Sequence, residues 1–142
     1  FGHNDQSKNK VDRYTPPDDF KKNLTQFVLD VRNKNGIPVL ITPVVRRRFN
    51  EEGEFYDVHG DYPNIVREVA TKEKVELIEL HGKSMTLIQK LGKEKSKELF
   101  LWLEPSDSKN YPNGLEDNTH FSEYGAQIIA GLVVDALRES NI

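Results

Sequence analysis

An α/β layer fold with a mostly parallel sheet is the architecture this sequence predicts, and three observations carry the prediction. Segments with helical periodicity alternate with short apolar runs along the chain. Ile37-Pro38-Val39-Leu40-Ile41-Thr42 is nearly continuous in apolar residues, the pattern of a strand covered on both faces in a parallel sheet. A broad apolar stripe then closes the sequence from about Ser122 to Ser140.

The elements follow in order. Thr15-Pro16-Pro17-Asp18 offers a capping residue, prolines for a first helical turn and a carboxylate three positions on. Phe20, Leu24, Phe27, Val28 and Val31 continue at helical spacing, so an amphipathic helix is expected, closed by Gly36. Pro38 is tolerated only at the start of the strand that follows. A second helix is expected from about Tyr62, with Ile65, Val66, Val69 and Ala70 on one face, and then a short strand over Val75 to Leu80. Met85, Ile88 and Leu91 stripe a short helix ending at Gly92, and Leu99 to Leu103 reads as extended, with Trp102 inside it. The last helix carries Ile128, Ile129, Leu132, Val133, Ala136 and Leu137 at i, i+3, i+4 spacing. Phe27, Met85 and Trp102 are expected in the core. Only two firm strands follow Phe1, whereas a doubly wound sheet has about five. Residues 1–142 therefore read as the C-terminal portion of one domain, with N-terminal strands outside this chain. A missing N-terminal segment or a partner chain is expected to complete the sheet.

Composition excludes several classes. A net charge of -3, with basic residues scattered except at Arg46, Arg47 and Arg48, gives no broad footprint for nucleic acid. The apolar runs fall far short of the roughly 20 residues that cross a bilayer, so no membrane span is expected. Without cysteine, disulfides and thiolate metal sites are ruled out. His59 and His81 have no firm partner at metal-ligand spacing, so a zinc site built from histidines and aspartates is the lesser alternative and no metal is expected.

Ligands in an open parallel sheet bind beyond the carboxyl ends of the strands, which gives three motifs a common address. Gly2-His3-Asn4-Asp5 is expected at one such end, Thr42 to Arg48 leaves another, and Asp117-Asn118-Thr119-His120 is expected in the loop entering the last helix. Acyl transfer needs a nucleophile, a base, a group that orients the base, and donors for the oxyanion. His120 suits the base, with Asp117 three residues earlier accepting its Nδ1 proton. Asn4 suits the oxyanion donor, because its amide donates without carrying charge, and Gly2 lets backbone approach a substrate closely. No serine fills the remaining role: Ser7, Ser84, Ser96, Ser106, Ser108, Ser122 and Ser140 all lack a preceding Gly-Asp pair. Taken singly, each motif has a plainer reading, as a capping pair, a turn or a solvated basic stretch.

Order and context favour the chemical reading. Gly2-His3-Asn4-Asp5 and Asp117-Asn118-Thr119-His120 resemble the Gly-x-Asn-Asp and Asp-x-x-His blocks of the SGNH (GDSL) hydrolases. Together with Pro38-Val39-Leu40-Ile41-Thr42-Pro43, the arginines after it, and Gly125-Ala126 opening the last helix, the chain resembles the rhamnogalacturonan acetylesterase branch.

That resemblance implies a flavodoxin-like three-layer α/β/α sandwich and a serine esterase that removes acetyl groups from pectic polysaccharide, with no metal or organic cofactor. It assigns Asn4 to the oxyanion hole, Asp117 to orienting the base, and His120 to being the base. It also places the family's Gly-Asp-Ser block, with the nucleophile, ahead of Gly-x-Asn-Asp, so turnover by these 142 residues alone is not expected. The implied partner is an acetylated acidic polysaccharide or oligosaccharide, and the implied location secreted or periplasmic. Galacturonate carries carboxylates, which guanidinium groups pair bidentately, so Arg46, Arg47 and Arg48 are expected to bind an acidic sugar. The competing readings are a non-catalytic carbohydrate-binding or degenerate SGNH domain, and an esterase or lipase of the same superfamily acting on another acyl ester.

Overall fold

The computed structural model describes residues 1–140, which mix helices and strands in an α/β arrangement. They form two compact units, one of residues 1–44, 59–81 and 136 onward, the other of residues 45–58 and 82–135.

The first unit contains α1 (Pro17–Asn33), β1 (Val39–Ile41), α2 (Tyr62–Glu73) and β2 (Glu76–Ile78). Pro17 takes the first helical position of α1, where its missing N–H costs nothing, and Asp18 and Asp19 face the positive end of the helix dipole. Pro16 is the N-cap and no side chain caps the helix, so Thr15 does not play the expected part. Its backbone is used instead: Thr15 N–H donates to Asp5 O, and the Tyr62 hydroxyl donates to Thr15 O. At the far end Asn35, not Gly36, adopts the left-handed conformation, with φ 56°. Gly36 is needed for a different reason. Its N–H donates to Val31 O, and a Cβ there would lie 2.8 Å from Val31 Cγ1.

β1 and β2 pair in parallel, with Val39 opposite Glu76, Leu40 opposite Leu77 and Ile41 opposite Ile78. Phe20 and Leu24 of α1 meet Tyr62, Ile65, Val66 and Val69 of α2 in one core, with Leu40 and Leu77 packed against it. Burial of an aliphatic side chain of this kind contributes about 1.5–3 kcal/mol. The cover over these strands is uneven: Ile78 is buried. Ile41 and Phe27, both expected inside, are 41% and 48% exposed.

The second unit holds most of α3 (Leu80–Lys95), a 3-10 turn (Ser96–Leu99), β3 (Phe100–Leu103), β4 (Leu115–Phe121) and most of α4 (Glu123–Glu139). Gly92, at φ 70°, breaks the helical path of α3 near the expected end of that helix. β3 and β4 pair antiparallel, so among the described strands one pairing, β1 with β2, is parallel and one is antiparallel, where a mostly parallel sheet was expected. Val45, Ile88, Leu99 and Phe100 form the core, flanked by Phe49, Phe55, Met85, Trp102, Phe121 and Ile128. Ser122 starts α4: its Oγ accepts the Gly125 N–H and donates to Glu98 O. No helix among the described residues is long and apolar enough to cross a membrane.

Candidate active site

Asp117, Asn118, Thr119 and His120 lie within β4, where the sequence suggested a loop. The ladder reconciles the two descriptions. Phe100 pairs with Phe121 and Trp102 with Glu116, so Leu101 alone on β3 faces all four motif residues on β4. The motif is a bulge, and bulges re-aim side chains that a regular strand would hold in its pleat.

Inside the bulge, Asp117 Oδ1 accepts the backbone N–H groups of Thr119 at 2.6 Å and His120 at 3.0 Å. Asp117 Oδ2 lies 2.6 Å from His120 Nδ1. A carboxylate offers only acceptors, so this contact places the imidazole proton on Nδ1 and leaves the Nε2 lone pair available. Burial works against the Asp117 charge, but the bonds from the His120 ring, the His120 amide and the Thr119 amide together hold its carboxyl below the ordinary carboxylate range. The two side chains differ in exposure, 21% for Asp117 and 76% for His120. With Nδ1 engaged and the ring largely exposed, such a pair can serve as an oriented base through Nε2.

The three arginines occupy different environments. Arg47 is buried: Nε donates to Ser96 Oγ at 3.0 Å, one terminal nitrogen to Asn118 Oδ1 at 2.6 Å, and the other to Lys93 O. Its guanidinium also stacks 5.0 Å from the Trp102 ring centroid and 5.5 Å from that of Phe49. Expected at the substrate, Arg47 is instead taken up by protein groups. Arg46 and Arg48 are half-buried. Burial first, and then the like charge of Arg48, pull the Arg46 pKa down, while Asp117 opposes them, so Arg46 feels the field of the candidate pair.

Gly2 and Asn4 belong to the first unit. Gly2 is buried at φ 96°, and a Cβ there would lie 3.3 Å from Tyr62 Cβ and 3.7 Å from both Phe20 Cζ and Pro43 Cγ. Backbone conformation and internal packing both favour glycine here. The Gly2 N–H donates to Asp5 Oδ2 at 2.8 Å, which closes the turn and leaves Asn4 exposed. The neighbouring His3 is held through Nδ1, 3.0 Å from Nε2 of the fully buried His59, whose ring also meets His81 edge-on at 5.7 Å. Sequence reasoning found no partner for His59 or His81. The three histidines are separated by dozens of residues, and no spacing rule connects them.

No family model matches this chain. Rhamnogalacturonan acetylesterase RhgT of Bacillus subtilis is 42% identical over 139 residues, a match that spans 98% of this chain and 59% of the relative. The probable rhamnogalacturonan acetylesterase YesY of the same organism is 38% identical over 140 residues, covering 98% and 60%. The chain thus spans about three-fifths of the length of these curated relatives. Among solved structures, the protein YxiM of Bacillus subtilis superposes with a TM-score of 0.75 at 24% identity, covering 98% of this chain and 35% of that one. A lipase/acylhydrolase from Enterococcus faecalis gives 0.56 at 19% identity, covering 91% and 55%. These structural likenesses show a shared fold, and the two curated relatives carry the homology. Over the residues it shares with them, the chain is similar in sequence to two rhamnogalacturonan acetylesterases, one of them named as probable, and its fold is that of the solved hydrolase structures.

Proposed function

We propose that the protein carrying this chain is a carbohydrate esterase that removes acetyl groups from pectic polysaccharide of the rhamnogalacturonan type. The observation that carries the reading is the Asp117–His120 pair, with its 2.6 Å contact at Nδ1 and its exposed imidazole. His120 Nε2 takes the proton of a serine hydroxyl as the oxygen attacks the acetyl carbonyl carbon. The family resemblance gives the Asn4 amide the role of donor to the oxyanion that forms. As the tetrahedral species collapses, His120 returns the proton to the departing sugar oxygen, leaving an acetyl-serine. Water activated by the same imidazole then releases acetate. The serine is the one that the family resemblance places in the Gly-Asp-Ser block. Arg46 and Arg48 are the guanidinium groups proposed to pair with galacturonate carboxylates.

A polymeric plant substrate puts the proposed place of action outside the cell membrane, secreted or periplasmic; fractionation of the producing cell tests that. The activity is tested by acetate release from acetylated rhamnogalacturonan and acetylated xylan, using the longest natural chain that contains these residues. The reading expects preference for the rhamnogalacturonan, weakened in Arg46→Gln and Arg48→Gln through KM. Equal turnover of both polymers would make it a general acylesterase, and no release from either would overturn the assignment.

A further inference from the structure

We infer that Arg47 is a positioning residue for the Asp117–His120 pair, acting through Asn118, and takes no part in binding substrate. The inference rests on the esterase reading for the meaning of that pair, and on geometry for the rest. Residues 117–120 face a single residue of β3, so regular strand pairing does not fix where the bulge sits. Asn118, at its centre, is fixed from one side by two residues. Its Oδ1 accepts from the Arg47 guanidinium at 2.6 Å and from Trp102 Nε1 at 3.1 Å, and its backbone carbonyl accepts the Arg47 N–H at 3.0 Å.

Arg47 is itself immobilised. Ser96 Oγ and the Lys93 carbonyl hold two more of its nitrogens, Ser96 is fully buried, and the Trp102 ring lies against the guanidinium plane. A planar fork with five donors can serve three acceptors at fixed angles while stacking on an aromatic face; a lysine ammonium cannot. The network therefore transmits the rigidity of the 3-10 turn and β3 to the two residues that flank Asn118. Those are Asp117, whose carboxylate orients the base, and Thr119, whose N–H pins that carboxylate. Loss of the guanidinium takes the shorter of the two donors from Asn118 Oδ1, leaves Trp102 Nε1 and the backbone bond from Arg47 N–H in place, and loosens the bulge.

The test compares Arg47→Gln, Arg47→Lys and Asn118→Ala in the longest natural chain, measuring kcat and KM on a small neutral acetyl ester and on acetylated rhamnogalacturonan. Positioning predicts that kcat falls about 10- to 100-fold on both substrates with KM little changed, because a displacement near 1 Å in a catalytic group costs that much. It predicts that Arg47→Lys does not rescue, and that Arg47→Gln combined with Asn118→Ala is no worse than either alone. A rise in KM confined to the acidic polymer would make Arg47 a substrate ligand and overturn the proposal. So would unchanged kcat per folded molecule with lowered thermal stability alone. A second readout does not need turnover: ring 15N shifts of His120, taken where the imidazole is neutral, report its tautomer. The clamp predicts an Nδ1–H tautomer in the natural protein and a shift toward Nε2–H in the variants. An unchanged tautomer would refute positioning even if the protein attacks some other ester, and a shifted tautomer with no acetate release would refute the esterase reading alone. Should Arg47→Gln fail to fold, Trp102→Phe removes one donor to Asn118 while keeping an aromatic ring, and a several-fold kcat loss is expected there; none would count against the clamp.

Discussion

The two carboxylate oxygens of Asp117 do different work. Oδ1 takes two backbone N–H groups and so fixes the side chain to its own turn, while Oδ2 is left for the imidazole. Removing the charge but not the shape separates these parts. In the proposed reaction Asp117→Asn is expected to lower kcat by about 10⁴-fold, since an amide NH2 facing Nδ1 favours the wrong tautomer. His120→Ala is expected to remove at least as much, with KM nearly unchanged, as measured by acetate release. Asp117 also links stability to pH. Its carboxyl is held below the ordinary range, so its contribution is complete above the unfolded carboxylate value and is lost as pH falls through the lowered folded one. Urea midpoints measured across that acidic window should decline more steeply for the natural protein than for Asp117→Asn. Parallel curves would show that the pair adds nothing to folding.

At the scale of elements, the start of α4 fixes the end of β4. Ser122 caps the helix and ties it to Glu98 O, and Gly125 packs so closely that an added Cβ would lie 1.8 Å from Leu99 O. Backbone must move to admit any side chain. Gly125→Ala is therefore expected to destabilise by about 1–3 kcal/mol or more, read as a lowered denaturant midpoint at constant m. Here the periodicity of α1, α2 and α4 was legible, because 3.6-residue spacing is a local property of the chain. The bulge was not. It arises where one residue of β3 meets four of β4, and pairing register depends on both strands at once. The same limit explains Asn35 and Gly36: both residue types favour helix ends, and only packing against Val31 decided which took the left-handed turn and which the tight contact.

Across the whole chain, apolar surface on the first unit is incompletely covered. Phe1, Phe27, Val31, Ile37 and Ile41 remain exposed, around a 440 Å³ groove also lined by Leu24, Val28 and Val66. Beside it β1 has one strand partner among the described residues. Exposed apolar area next to an open strand edge favours association. The 142 residues alone are expected to self-associate at micromolar concentration, and Phe27→Lys with Ile37→Lys to shift them toward monomer in sedimentation; a monomeric unmodified chain would contradict this.

Residue order by itself determined the alternation of elements, the resemblance to an esterase family and the pairing of Asp117 with His120, because each depends on groups a few positions apart. Only the folded structure decided that the pair sits in a strand bulge, that Arg47 turns inward to Asn118 while Arg46 and Arg48 stay near the surface, and that His3, His59 and His81 meet. Each of these depends on contacts across tens of residues, and their geometry is fixed by packing, to which local spacing carries no key.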